Sequence, residues 1–302
     1  MTLTVSESFP VELVLDARAR LGEGPVFDLK TGLLLWIDIF AEVVHRYDPE
    51  SGVNRSFPVG QPVGFVAPRA GGGAIVGLRD GIAAIDPTWS ELTMLAPVAI
   101  DEPKIRFNDG SCDARGRLFA GTTDSDGAPN RGALYRYTDE SDPQIVVAPG
   151  SVSNGIDWSP DGRWMYYIDT PTRRVDRFAY DLSSGVLGER TTFLNFLSSD
   201  TPDGCCVDGD GYLWIAFIGA WCVRRYDPLG RLDQTVHLPT ANVTACAFGG
   251  SGLSDLYVTT ARDGLSPAEL ARQPHAGGLF RVVTNVTGRG GAVFGRSVAN
   301  AP

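Results

Sequence analysis

Six residues stand at the head of short β-like runs spaced 41, 44, 46, 49 and 41 residues apart: Glu23, Gly64, Asn108, Asn154, Asp203 and Thr244. Two of them are carboxylates and two are amides. If the runs converge in space, Glu23, Asn154 and Asp203 bring two negative charges and one neutral carbonyl to one point. That donor set suits a hard divalent cation completed by waters. Without a cation, two converging carboxylates in a partly dry site repel, and one tends to take up a proton. Each residue also has a plainer reading. Pro202-Asp203-Gly204 and Asn154-Gly155 are common turn strings, and Glu23 can be a solvated loop acid. Shared phase favours the metal: Asp203 precedes a first run, whereas Asp161, in Ser159-Pro160-Asp161-Gly162, follows one and belongs to a turn.

The elements that must position these residues recur in a fixed order. In the first unit, Gly24–Asp28 leads through a Thr31-Gly32 turn to Leu33–Asp38, then to Val43–Asp48 and Asn54–Val59. The fourth and fifth units repeat it around the Asp161-Gly162 and Asp210-Gly211 turns. Four short strands every 40–50 residues, joined by glycine-containing turns, predict an all-β, six-bladed β-propeller. An all-β sandwich is the alternative, but sandwiches do not hold a four-strand phase over six units. In a propeller the first strand of each blade lines the channel, so the six phase positions meet at its mouth.

After Thr244 only three convincing strands remain, and a spare one, Val11–Leu15, precedes the first unit. Pairing it as the outer strand of the sixth blade closes the ring and removes an edge. A single domain over 1–302 is expected, with a core of about 11–285 and flexible tails at 1–10 and 286–302. One helical turn is expected between Ala261 and Ala276. Trp36, Trp158 and Trp214 lie inside strands and are assigned to blade packing.

Composition excludes other classes. The 26 basic and 36 acidic residues give a net charge of −10, without the basic footprint that nucleic acid requires. Glycine and proline total 56 of 302 residues, about 19% against a usual 12% or so, which favours turns over long helices. His45, His237 and His275 are scattered, and Cys112, Cys205, Cys206, Cys222 and Cys246 contain no C-x-x-C pair. Zinc sites rich in histidine and c-type haem boxes are therefore absent. An odd cysteine count and a start without a basic, apolar leader predict reduced thiols and a cytoplasmic location. No apolar stretch is long enough to span a membrane.

Leu21-Gly22-Glu23-Gly24-Pro25, Arg106-Phe107-Asn108-Asp109-Gly110, Ser153-Asn154-Gly155, Pro202-Asp203-Gly204, Ala261-Arg262-Asp263-Gly264 and Ala276-Gly277-Gly278-Leu279-Phe280 resemble the SMP-30/gluconolactonase/LRE family. The family includes regucalcin and bacterial sugar lactonases, and the resemblance runs from about residue 12 to 285. It implies one divalent metal at the channel mouth, held by Glu23, Asn154 and Asp203, with Asp203 also the acid/base residue. Arg106 and Asn108 match the substrate-contacting pair. Asp126 falls near the position of a substrate-binding Glu in regucalcin-like members, in a loop of different length (Gly121–Arg131).

Hydrolysis of an aldonolactone to the aldonic acid is the expected activity, on a cofactor that is calcium, zinc, manganese or iron(II). A small sugar lactone is the expected partner, and a monomer or weak homodimer the expected state. Two other classes stay open: a phosphotriesterase of the diisopropylfluorophosphatase type, and a non-enzymatic calcium-binding or scaffold propeller. No Trp-Asp dipeptide repeat of the scaffold kind occurs.

Overall fold

The structure is a computed structural model that describes residues 9–98 and 102–295. Six antiparallel four-stranded sheets follow one another along the chain. The inner strand of each packs on those of its two neighbours, and the sixth returns to the first. The predicted six-bladed propeller is what forms. Its inner strands are Gly22–Asp28, Val63–Pro68, Ile105–Cys112, Ser153–Trp158, Pro202–Val207 and Val243–Gly249.

Burial explains the sequence pattern of each blade. The two innermost strands of blade 2, Val63–Pro68 and Ala74–Leu78, are buried at every position, whereas the outer strand Leu92–Pro97 is largely exposed. A strand covered on both faces must read as continuously apolar; one at the rim need not. The turns between first and second strands carry Gly32, Gly73, Gly116, Gly162, Gly211 and Gly250, all with φ between 67° and 86°. Only glycine adopts that left-handed backbone without strain. The core is divided into six apolar wedges, one between each pair of adjacent blades. Trp36, Trp158 and Trp214 are buried in three of them, as expected.

The ring closes as predicted. Val11–Leu15 pairs antiparallel with Leu279–Val283, with Glu12 opposite Arg281 and Leu13 opposite Phe280. The predicted helical turn is Pro267–Arg272, started by a capping box between Ser266 and Glu269. Among the described residues no helix is long and apolar enough to cross a membrane.

The expected C-terminal tail needs correcting. Residues 286–295 run across the base of the propeller, at the end opposite Glu23 and Asp203, and touch all six blades. Gly288 N donates to Leu253 O of blade 6 (2.7 Å), and Gly209 N of blade 5 donates to Thr287 O (2.8 Å). Arg289 pairs with Asp157 of blade 4 (3.1 Å). Gly291, Phe294 and Gly295 donate in turn to Phe27, Pro68 and Gly116 of blades 1, 2 and 3. Thr-Gly-Arg-Gly-Gly shows no strand alternation, and its order comes from these tertiary bonds. At the other terminus, Pro10 O accepts from Val283 N (3.0 Å) and Phe9 packs near Trp214, so those two residues are held as well. Positions 1–8 and 296–302 lie outside the described residues. Above the strap the channel widens into a cavity of about 780 Å³, with Arg289–Val293 in its wall.

Phe294 is 1% exposed and stacks on Tyr137 at 5.5 Å. Phe294→Ala is expected to cost about 3 kcal/mol, as burial of a large aromatic side chain is lost and a cavity is left. Denaturant unfolding of the variant checks this; a loss below 1 kcal/mol or so would mean the strap carries no stability.

Candidate active site at the channel mouth

Every inner strand slips register against its second strand at the same place. The slips fall between Glu23/Val26, Val63/Phe65, Phe107/Asp109, Asn154/Ile156, Pro202/Cys205 and Val243/Ala245. Such bulges re-aim side chains beside active sites. The six phase residues are the residues at these bulges. Four of them supply polar side chains to the mouth. Gly64 is a spacer: a Cβ there would lie 2.2 Å from Phe107 O. Thr244 is a latch, with its hydroxyl donating to Gly22 O (2.6 Å).

A chain of hydrogen bonds joins blades 3, 4 and 5. Arg106 Nη1 donates to Phe107 O and to Asn108 Oδ1, both at 2.9 Å. Asn108 Nδ2 donates to Ser153 O (2.9 Å) and Asn154 Oδ1 (2.8 Å). Asn154 Nδ2 donates to Thr170 Oγ1 (2.7 Å), whose hydroxyl reaches Pro202 O (2.9 Å). The amide orientations are thereby set: Asn154 Oδ1 faces Asn108 and its Nδ2 faces Thr170. Asp203 lies against the Glu23 carboxyl and the Asn154 amide.

Burial dominates the electrostatics. Glu23 is held well above the ordinary carboxylate range by burial, then by the charges of Asp203 and Asp109. Asp203 is raised likewise, by burial and then by Asp109. Asp109 itself is pushed up to about 7 by burial, opposed only by the Gly110 N–H. Arg106 is brought down to about 10 by burial, with Glu23 pulling the other way. Phe40 helps to cover it: Arg106 lies 5.5 Å and Arg20 4.6 Å from that ring.

Two buried polar atoms here have no partner among the described residues, Asp203 Oδ2 and Arg106 Nε. An oxygen-only donor set with one buried carboxylate oxygen unpaired fits a hard divalent cation. Among the described residues no three His, Cys, Asp or Glu side chains converge on one point. Beyond Glu23 and Asp203, the third protein oxygen would therefore be the Asn154 amide.

Glu23, Arg106, Asn108, Asn154 and Asp203 are brought together; Asp126 is not. Its side chain is 63% exposed and paired with Lys104 at 2.5 Å, while its backbone N–H is taken by Asp124. The loop turns this carboxylate to the rim, against the expectation that it joins the substrate pair. Asp109 and Phe40 were not singled out by spacing. Asp109 sits beside Asn108 in the same string, and only the bulge, which brings consecutive residues to one side, could have shown it.

Residues 21–262 match the SMP-30/Gluconolactonase/LRE-like region. The chain belongs to that family. It is 38% identical to human regucalcin over 282 residues, covering 91% of this chain and 94% of that one. It is 37% identical over 270 residues to "Putative sugar lactone lactonase YvrE" of Bacillus subtilis, covering 89% and 92%. A calcium-binding protein, regucalcin, from Agrobacterium tumefaciens superposes with a TM-score of 0.91 at 28% identity, over 95% of this chain and 97% of that one.

The raised carboxyls make stability depend on pH in a definite sense. A carboxyl whose folded pKa exceeds its unfolded value binds more protons in the folded state. Its favourable contribution is complete below the unfolded value of about 4 and is lost as pH rises through the folded value. For Asp109 the folded value is about 7, so that loss builds from mild acid and is complete near neutrality. Protein treated with a chelator is therefore expected to melt progressively lower from mild acid to neutrality. Adding calcium or manganese should restore the loss above neutral pH, by about 2.7 kcal/mol at a hundredfold excess over Kd. Thermal melts with and without cation across this range test it; a chelated protein that gains stability towards neutrality contradicts the electrostatic reading.

Proposed function

We propose that this protein hydrolyses a sugar lactone, opening an aldonolactone to its aldonic acid. The observation that carries the reading is the buried, partnerless Asp203 Oδ2, set in the same mouth as the buried, partnerless Arg106 Nε. One is an acceptor and the other a charged donor, each without a hydrogen-bond partner among the described residues. A polar substrate that brings a carbonyl, hydroxyls and an attacking water satisfies both. Membership of the family and the likeness to a protein named as a sugar lactone lactonase support the same chemistry.

A divalent cation bound by Glu23, Asn154 and Asp203 would supply Lewis-acid polarisation of the lactone carbonyl. Asp203 accepts a proton from the attacking water as its oxygen bonds to the carbonyl carbon. It then returns that proton to the ring oxygen as the C–O bond breaks. Arg106 offers a forked, desolvated donor to the carbonyl or to sugar hydroxyls, and Asn108 holds that guanidinium in place. No Ser–His pair takes part.

Asp203→Asn should leave the fold intact and lower kcat by about 10²–10⁴. Turnover near that of the wild type, with the cation still bound by calorimetry, would remove Asp203 from the mechanism. A panel of sugar lactones assayed beside one organophosphate locates the natural substrate class.

Arg106→Ala should reduce kcat/KM by the loss of a charged hydrogen bond, about 1.5–3 kcal/mol or tenfold to a hundredfold, without changing cation affinity. Arg106→Lys should recover only part, since an ammonium lacks the planar fork. Calorimetric cation titration decides: affinity falling in step with turnover would make Arg106 a support of the cation site and not a substrate contact.

A further inference from the structure

Beneath the mouth, the wall of the channel cavity carries thiols where blades 5 and 6 meet. Cys205 and Cys206 stand on the inner strand Pro202–Val207, and Cys246 stands on Val243–Gly249. Gly204 and Ala245, the residues after Asp203 and Thr244, belong to the same wall. The thiols are therefore one or two residues further down the two strands that head the site. All three cysteines are free, and Cys206 Sγ lies 3.7 Å from Cys246 Sγ, in S–H···S contact across the two blades.

Strand alternation decides which thiols meet. Successive residues of a strand turn to opposite sides, so Cys205 packs into the wedge between blades 4 and 5. Cys206 packs into the wedge between blades 5 and 6, which contains Cys246. The backbones already touch at this level, because a Cβ on Gly204 would lie 2.5 Å from Ala245 Cβ. Trp214 holds the pair from one side: it is the register partner of Cys206, and its carbonyl accepts from Cys246 Sγ (3.9 Å). A disulfide bond of about 2.05 Å asks the two sulfurs to approach by about 1.7 Å more, which rotation about the two Cα–Cβ bonds supplies. The strands need not move.

We propose that Cys206 and Cys246 are an oxidisable pair that a hydroperoxide closes to a disulfide, clasping blade 5 to blade 6. Hydrogen peroxide is little larger than water, and a cavity of about 780 Å³ has room for it. Cys206 reacts first, because it is partly exposed and Cys246 is buried. Its thiolate attacks one peroxide oxygen, the O–O bond breaks, and water leaves a sulfenic acid behind. The Cys246 sulfur then attacks the Cys206 sulfur, the S–O bond breaks, and a second water departs with the Cys246 proton. Two thiols and one hydrogen peroxide thus give one disulfide and two waters. Burial pushes the Cys206 thiol well above its ordinary range, so thiolate is scarce and closure is slow unless peroxide is in excess. The bond ties the blade built from both chain ends to the blade that carries Asp203. It does so whatever the mouth hydrolyses.

The test treats the folded, full-length protein with excess hydrogen peroxide, then counts its free thiols after denaturation and weighs its peptides. The count should fall from five to three, and dithiothreitol should restore it. One linked peptide pair should appear, carrying residues 206 and 246 and lighter by two hydrogens. Cys206→Ala and Cys246→Ala should each abolish the link, whereas Cys205→Ala should keep it. The oxidised wild type should melt several degrees above the reduced protein, because the cross-link restricts the unfolded chain, and neither unlinked variant should show that rise. All five thiols surviving an exposure that consumes them in the denatured chain overturns the proposal. So does a link through Cys205, or oxygen added to sulfur in place of a link. A link between 206 and 246 without a rise in melting temperature overturns the clasp.

Discussion

The mouth depends on holding the Glu23 and Asp203 carboxyls together and out of water. Both are buried, which makes each costly to ionise, and the Asp203 charge raises that cost further for Glu23. A site of this kind is a local liability that the rest of the fold must offset. Glu23 belongs to blade 1 and Asp203 to blade 5, so blade 6 lies between them. Thr244 of that blade bonds Gly22 O on one side, while Gly204 faces Ala245 on the other so closely that a Cβ would lie 2.5 Å from Ala245 Cβ. The blade that separates the two acids is also the one assembled from both ends of the chain. Closure of the ring and approach of the carboxyls are therefore one structural event: if Val11–Leu15 leaves its partner strand, the sheet that braces Glu23 against Asp203 is the sheet that loosens.

The repeated bulge turns a symmetric ring into a chemical site. Regular alternation would send consecutive residues of an inner strand to opposite faces, and a one-residue slip would reverse them all. The slip at the head of each inner strand instead gives the same local twist six times, and the side chain at that point decides what each blade contributes. Glycine in blade 2 lets blade 3 come close, threonine in blade 6 locks the ring, and the remaining four carry oxygen and nitrogen. The polar set is thus interrupted by positions that serve only geometry. Asp109 follows from the same bulge: it stays on the channel side behind Asn108, where it adds charge beneath the pair.

The fold and most of the site were legible because both are periodic. Glycine turns, buried strand pairs and the six phase residues recur at blade spacing, and the spare strand at the start answers a missing one at the end. What escaped was aperiodic. The segment 286–295 is small, polar and glycine-rich, and it is ordered by bonds to backbone atoms of all six blades that no local pattern encodes. Asp126 matched by counting along the chain, but its direction is set by Lys104, a residue on a different strand's approach. Phe40 lies in a loop between strands, where neither burial nor alternation marks a side chain as covering Arg106.

These two groups divide the labour of the site. Residues at the bulges cannot change without disturbing the approach of whole blades: Gly155, beside Asn154, already has Asp203 O at 2.8 Å from where a Cβ would stand. A residue on a rim loop carries less of that load: Asp126 is exposed and paired with Lys104, and it can be exchanged at small cost in stability. The base offers no comparable freedom, because the strap crosses it and bonds every blade. Side chains are therefore freer to vary in the mouth loops, while the polar set beneath them stays in place. The same division explains why spacing could show which polar side chains meet at the mouth and could not show where the loop turns Asp126.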